Sequence, residues 1–190
     1  MGSDLFPGFT QQYINTSQGV SIFVRTLIDQ TKPPLLLLHG FPQTHVEFHK
    51  IVPYLRPHFS VVLTDLRGYG ASSVVPSANG SAYSKRLMAQ DCVQVMTALG
   101  FEKFSVVRHD RGARVAYRLA FDNPEILHKV VVIDIIPTSA MYGGFGDVNA
   151  GLRAYHWLFL AQPEPFPERM IQSVGNGRLF LEHTFATWTA

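Results

Sequence analysis

The chain has 190 residues, which against about 150 residues per domain predicts one domain with a substantial extension and excludes a tandem of two full domains. Hydrophobic residues make up 46% and charged residues 16%, compared with about 25% charged in an ordinary globular chain. This composition excludes a disordered tail or a charge-driven scaffold. The net charge is only +2 and no basic run is longer than Lys85-Arg86, so electrostatic binding of nucleic acid has no support.

The sequence also indicates where the protein works. Its longest apolar stretches, such as Trp157–Ala161, are far shorter than the roughly 18 residues that span a bilayer, so no membrane partner is expected. The N-terminal MGSDLFPGF has an acid, glycines and a proline where a signal peptide has basic residues and then an apolar run. Cys92 is the only cysteine, which excludes an internal disulfide and a cysteine metal cage. The sequence therefore predicts a cytoplasmic protein.

Apolar runs of strand length alternate with segments of helical period, which predicts an α/β fold with a mostly parallel sheet. The run Leu35–Leu38 is wholly apolar and the run Val130–Ile135 is interrupted only by Asp134, as expected for central strands covered on both faces. The predicted strands are Val20–Leu27, Leu35–Leu38, Val61–Thr64, Phe104–Val107 and Val130–Ile135.

Two helices are predicted between these strands, and the pattern changes after Pro137. One helix is indicated by apolar residues at three-to-four spacing from Met88 to Leu99, with Gly100 at its end. A second runs from about Gly112 to Phe121. Beyond Pro137 the chain becomes rich in glycine, aromatic residues and proline, which predicts a domain boundary between residues 137 and 138.

The segment VVRHDRGARVAYRLA carries the most chemical information. Asp110 lies between the end of a predicted strand and the start of a predicted helix, which is the context of a nucleophile elbow. Such a turn exposes its central side chain and aims the following backbone N–H at the same point. Asp110 would then be a carboxylate nucleophile, whereas the residues alone leave open a solvated Asp that caps the helix.

Five motifs together resemble one family: HGFPQTHVEFH, DLRGYGASS, HDRGARVAYRLA, DIIPT and YHWLFLAQP. They are similar to those of the haloacetate (fluoroacetate) dehalogenases of the α/β-hydrolase fold. The HGFP motif is shared with epoxide hydrolases and haloalkane dehalogenases, whereas HDRGAR joined to YHW is specific. The resemblance implies an α/β-hydrolase core over residues 1–137, truncated before its last strands, and the start of a helical cap over residues 138–190.

The resemblance also implies a role for each matching residue in the core. Asp110 would displace the halogen and form an ester, and Asp134 in DIIPT would orient a catalytic histidine. Arg111 and Arg114, three apart at the start of one helix, would bind the substrate carboxylate, although pairing of Arg114 with Asp110 is the structural alternative. The backbone N–H groups of Phe41 and Arg111 would form the oxyanion hole.

His156 and Trp157 match the residues that bind the halide in the family, although aromatic residues at this density also pack as helix core. No metal ligation and no cofactor is expected. The elbow departs from the family pattern at Arg108, which stands where the family has glycine. No histidine of the sequence matches the C-terminal histidine that activates water, so the resemblance implies a chain that forms the ester and then stalls.

The sequence thus predicts a hydrolytic dehalogenase that acts on short 2-halo-carboxylates, with a small-molecule haloacid as its partner and a homodimer left open. An epoxide hydrolase-like enzyme, a non-catalytic haloacid-binding protein and a truncated homologue without activity are the alternatives. A neutral epoxide would give Arg111 and Arg114 no charged partner, which favours the haloacid.

Overall fold

The computed structural model describes residues 4–188 of the chain. The chain divides into two compact units, Met1–Ile135 and Ile136–Ala190. The first unit contains the sheet and three α-helices, and the second is built from helices. The assignment of the two parts as hydrolase core and cap stays a prediction.

Six strands form one mixed, mostly parallel sheet in the order β1-β2-β4-β3-β5-β6. The two ladders that β2 makes with β1 and β4 are antiparallel, and the other three are parallel. This confirms the predicted α/β architecture. The strands are β1 (Thr10–Asn15), β2 (Ser21–Leu27), β3 (Pro34–Leu38), β4 (Ser60–Thr64), β5 (Phe104–His109) and β6 (Leu127–Ile133).

The two central strands are buried because both of their faces are covered. Leu36 and Leu38 of β3 belong to one apolar cluster, whereas Leu35 and Leu37 belong to the cluster on the opposite face. All four leucines are at most 3% exposed. Since successive side chains of a strand point to opposite faces, an uninterrupted apolar run is the pattern that a doubly covered strand requires.

Three α-helices follow in the first unit: α1 (Val52–Leu55), α2 (Lys85–Ala98) and α3 (Asp110–Asp122). Helix α2 begins three residues before the predicted Met88, because the Ser84 side chain accepts a hydrogen bond from the Leu87 N–H and caps the helix. Gly100, at φ +84°, follows its end. A 3₁₀ helix at His45–Lys50 lies between β3 and α1.

The prediction for strand Val130–Ile135 is wrong in two respects. The strand β6 ends at Ile133, because Asp134 turns into the left-handed region at φ +48°. In addition, Val131, Val132 and Ile133 are 41–49% exposed, so the expected cover of both faces is wrong. Among the described residues β6 lies at the edge of the sheet. Its free side has no strand partner within residues 4–188.

The second unit contains five α-helices within its described part: α4 (Thr138–Gly144), α5 (Val148–Arg153), α6 (Tyr155–Leu160), α7 (Phe166–Ser173) and α8 (Arg178–Trp188). Gly146 lies between α4 and α5, and the proline-containing segment AQPEP separates α6 from α7. These residues end helices because glycine adds backbone freedom and proline removes an N–H donor. Within residues 4–188 no helix is long and apolar enough to cross a membrane.

Candidate active site

Asp110 lies at a sharp turn between β5 and α3. Its φ of +40° is in the left-handed region, which costs an L-residue energy and is kept where the surrounding structure enforces it. The helix reaches the neighbouring strand at once, because the Gly112 N–H donates a hydrogen bond of 3.0 Å to the His39 carbonyl oxygen. A Cβ at Gly112 would lie 2.4 Å from the Leu38 carbonyl oxygen, so only glycine fits. The turn thus has the geometry of a nucleophile elbow.

The HGFP turn packs directly against this elbow. A Cβ on Gly40 would lie 2.8 Å from the Asp110 Cβ and 2.9 Å from the His109 Nδ1. This close approach lets the next N–H, that of Phe41, donate a hydrogen bond of 2.9 Å to the Asp110 Oδ2. The structure therefore brings one of the two predicted oxyanion donors to the predicted nucleophile. The second donor, the Arg111 N–H, follows Asp110 directly in the chain.

His39 holds the HGFP turn from inside the protein. The ring is fully buried, its Nδ1 lies 2.8 Å from the Gly40 carbonyl oxygen, and its Nε2 accepts a hydrogen bond of 3.0 Å from the Leu66 N–H. Nδ1 must then carry the proton and donate to Gly40. Burial lowers the pKa of His39, so the neutral ring that this arrangement needs is the favoured form. His39 is therefore a structural support of the turn.

Cationic side chains collect at the N-terminal ends of α2 and α3. The Arg111 guanidinium lies 5.5 Å from the centre of the Phe41 ring, in a cation–π contact. Burial, followed by the positive charges of Arg111 and Arg114, lowers the pKa of Lys85 to about 8, while the charge of Asp110 acts in the opposite direction. Both predicted arginines thus share a positive region with Lys85, which the sequence did not single out.

Three side chains, Glu47, His109 and Asp134, lie in a row beside the elbow. Nδ1 of His109 lies 3.4 Å from the Glu47 Oε2, and its Nε2 lies 3.9 Å from the Asp134 Oδ2. The hydrogen bond to Glu47 is the largest cause of a raised pKa at His109. Asp134 follows β6, and its distance to His109 places its carboxylate beside the elbow. Because its side chain is 90% exposed, this carboxylate is accessible to solvent. Its predicted role toward a histidine base stays a prediction.

Arg108 stands at the elbow position where the resembling family has glycine, and it is only 4% exposed. Its Nε and Nη1 have no hydrogen-bond partner within residues 4–188. Burial lowers the pKa of the guanidinium to about 10. The elbow at Asp110 forms nevertheless, so the arginine is accommodated at a cost in desolvation and does not displace the turn.

His156 and Trp157 lie in α6 of the second unit. The Trp157 ring packs edge-on against Tyr142 with centroids 5.7 Å apart, and the His156 ring lies 4.3 Å from that of Trp188. The two side chains are thus part of an aromatic cluster within this unit. Their role in halide binding stays a prediction.

The α/β-hydrolase fold family model matches residues 33–174, which include the HGFP turn, the elbow and Asp134. The chain belongs to the α/β-hydrolase fold family. Among curated α/β-hydrolase relatives, fluoroacetate dehalogenase of Burkholderia sp is 41% identical over 169 residues, covering 88% of this chain and 54% of that protein. Soluble epoxide hydrolase of Corynebacterium sp. (strain C12) is 34% identical over 126 residues, covering 66% of this chain and 43% of that protein.

Solved structures share the α/β-hydrolase architecture. The crystal structure of ALR0039 from Nostoc sp PCC 7120 matches with a TM-score of 0.88 at 47% identity, covering 95% of this chain and 60% of that one. The epoxide hydrolase CorEH matches with a TM-score of 0.79 at 28% identity, covering 92% of this chain and 59% of that one. The chain spans about half the length of the curated relatives it matches.

Sequence reasoning missed three side chains around the elbow: Glu47, Tyr69 and Lys85. Tyr69 packs edge-on against His39 and Phe41, with ring centroids 5.1 and 6.5 Å apart, and burial raises its pKa. Each lies outside the motif that contains Asp110, and no spacing rule connects it with that residue. Glu47 and Tyr69 do lie within the quoted motifs HGFPQTHVEFH and DLRGYGASS, which carry the family resemblance without assigning them a role, and Lys85 begins a helix that precedes β5.

Proposed function

We propose that this α/β-hydrolase is a hydrolytic dehalogenase that acts on short 2-halo-carboxylates such as haloacetates. The observation that carries the proposal is the placement of Asp110 at a strained turn, with the Phe41 N–H on its carboxylate and two arginines following within four residues. A carboxylate in this position is a nucleophile, and cations beside it favour an anionic substrate.

The proposed reaction has two steps. A carboxylate oxygen of Asp110 attacks the halogen-bearing carbon from the side opposite the halogen, and the halide leaves with the bonding electron pair. The product is an ester between Asp110 and the former haloacid. Water then attacks the ester carbonyl carbon, and the tetrahedral oxyanion is stabilised by the Phe41 N–H. Overall, haloacetate and water give glycolate, halide and a proton, and the Asp110 carboxylate is restored.

Arg111 and Arg114 are proposed to bind the substrate carboxylate. Each charge-assisted hydrogen bond would contribute about 1.5–3 kcal/mol in a site shielded from water. Lys85 adds a positive charge to the same region. The charges of Arg111, Arg114 and Asp110 all affect the pKa of Lys85, which indicates that the four side chains lie near one another. The 41% identity with fluoroacetate dehalogenase supports this substrate class.

The family resemblance supplies the remaining roles. His156 and Trp157 are proposed to donate hydrogen bonds to the departing halide, and Asp134 to orient the histidine that activates water.

An epoxide hydrolase is the competing function, because soluble epoxide hydrolase of Corynebacterium sp. is 34% identical. Opening of an epoxide by Asp110 would also give an ester, but a neutral epoxide has no carboxylate for Arg111 and Arg114 to bind. A protein that binds haloacids without reaction would share the arginines and lack the ester. The two alternatives therefore differ from the proposal in substrate charge and in halide release.

A matched pair of substrates distinguishes these functions. Chloroacetate and chloroacetamide have almost the same size and leaving group but differ in charge. We expect halide release, measured in the first turnover, to be at least about tenfold faster with chloroacetate, and Arg114→Ala to remove this preference. Equal rates for the two compounds, or a reaction with styrene oxide but not with chloroacetate, would refute the proposed substrate class.

A further inference from the structure

Glu47 lies in the 3₁₀ helix that follows the HGFP turn, and its side chain is only 13% exposed. One carboxylate oxygen, Oε2, accepts a hydrogen bond of 3.2 Å from the Gly40 N–H and lies 3.4 Å from the His109 Nδ1. These two partners come from different strand ends, β3 and β5. A single oxygen atom therefore connects the two chain segments that enclose the elbow.

Both partners of Glu47 adjoin the groups that would react. Gly40 immediately precedes Phe41, whose N–H donates to Asp110, and His109 immediately precedes Asp110 itself. Gly40 also packs so closely against His109 and Asp110 that a Cβ on Gly40 would lie within 3 Å of both side chains. A shift of the Gly40 peptide or of the His109 ring would therefore be transmitted directly to the hydrogen bond between Phe41 and Asp110.

We propose that Glu47 is a positioning residue that holds the Phe41 N–H on the carboxylate of Asp110; the catalytic consequence rests on the proposed function of Asp110 as the nucleophile. Glu47 acts through Gly40 and His109 and does not itself touch the substrate. A carboxylate suits this task because it accepts from two donors at once, and an ionised acceptor makes stronger hydrogen bonds than a neutral amide.

The charges around His109 agree with this role. Three carboxylates face its ring from three elements: Glu47 from the 3₁₀ helix, Asp110 from α3 and Asp134 from the segment after β6. Their negative charges favour the protonated ring, and a protonated ring donates from both nitrogens. The Nδ1 atom of the ring faces Glu47, and the Nε2 atom faces Asp134.

The variant Glu47→Gln tests the proposal because it keeps the shape of the side chain and removes its charge. We expect three changes: a lower pKa of His109 by NMR, an exchange of the Phe41 amide hydrogen about tenfold faster, and a maximal alkylation rate of Asp110 by bromoacetate about tenfold slower. The half-saturating bromoacetate concentration should stay within about twofold, since Glu47 does not contact the substrate. Glu102→Gln, an exposed change in the same unit, should alter none of these values.

An unchanged Phe41 exchange rate in folded Glu47→Gln would overturn the proposal, as would a rate loss that comes entirely from weaker binding. If Glu47→Gln does not fold, the exchange rate of the Phe41 amide is measured in Glu47→Asp, which keeps the charge but shortens the side chain by one carbon. Faster exchange in this variant supports the proposal, and an unchanged rate overturns it. The exchange and NMR measurements need no substrate. A wild-type chain that is not alkylated would therefore refute the proposed function alone, while the effect of Glu47 on the Phe41 amide would still support or overturn its positioning role.

Discussion

The Phe41 N–H donates a 2.9 Å hydrogen bond to the Asp110 Oδ2, although the two residues lie 69 positions apart. The donor belongs to the backbone of the turn after β3, and the acceptor to the turn after β5. Both turns lie at the carboxyl edge of adjacent parallel strands, which is where α/β sheets place their ligands. The sheet topology thus brings together the proposed nucleophile and a hydrogen-bond donor to its carboxylate.

Because the donor is a backbone group, the Phe41 side chain should be dispensable for the chemistry but not for binding. Phe41→Leu removes the cation–π contact with Arg111, worth about 0.5–1 kcal/mol. We expect the half-saturating haloacetate concentration to rise about threefold and the maximal alkylation rate to stay within about twofold. A quench-flow series over substrate concentration separates these values. A large loss of maximal rate with unchanged half-saturation would show that the ring itself supports the chemistry.

Gly112 should tolerate no side chain. In Gly112→Ala the new Cβ would lie 2.4 Å from the Leu38 carbonyl oxygen, and both groups belong to packed backbone. We expect the free energy of unfolding to fall by about 3 kcal/mol, measured by urea denaturation. Gly143→Ala, where nothing lies within 4 Å of the added carbon, is the control; because Gly143 lies in helix α4, this change should be neutral or stabilising by up to about 1 kcal/mol. Equal effects of the two changes would contradict the close approach of α3 to β3.

Arg108 should reduce stability in its present position. Its guanidinium is buried, and Nε and Nη1 lack a hydrogen-bond partner within residues 4–188. Arg108→Met has a similar volume and no charge, so we expect the free energy of unfolding to rise by about 1–3 kcal/mol. Lys103→Met, an exposed change just before β5, should change it by less than about 0.5 kcal/mol. A destabilised Arg108→Met would indicate that the guanidinium has a favourable partner.

Lys85 should make haloacetate binding depend on pH. Its pKa is lowered to about 8, so it is cationic below pH 8 and becomes neutral as the pH rises above that value. The charge of the haloacetate anion does not change in this range, and its affinity should therefore fall by about threefold between pH 7 and pH 9.5. Isothermal titration calorimetry measures this loss.

Lys85→Arg and Lys85→Met isolate the contribution of this one group from that of His109. The arginine variant keeps its charge and should lose less affinity over the same range, and the methionine variant should bind more weakly than wild type at pH 7. Parallel pH dependences for wild type and Lys85→Arg would show that another group titrates.

Much of the fold could be predicted because its signals are local. The apolar runs Leu35–Leu38 and Val61–Thr64 identify β3 and β4 to within one residue, and the direct succession of strand and helix patterns identifies the turn at Asp110. The strand β1, TQQYIN, was missed because it is polar and largely exposed, so it lacks the alternation that a covered strand shows.

The supporting residues of the site could not be predicted because their partners are distant in the sequence. Glu47 lies 62 positions from His109, and only the parallel pairing of β3 with β5 brings them together. Lys85 looked like half of an isolated basic pair, and the packing of α2 beside α3 places it near Arg111 and Asp110. A sequence pattern identifies a residue with unusual local surroundings, whereas these contacts depend on the assembled sheet.

Mass spectrometry of the chain after rapid quenching from bromoacetate tests the nucleophilic role of Asp110 most directly. We expect one carboxymethyl group per chain, joined as an ester and located in the peptide that contains Asp110. Asp110→Asn should keep the fold and lose the adduct. A wild-type chain without an adduct and without halide release, or the same adduct in Asp110→Asn, would contradict the assignment of Asp110 as the nucleophile.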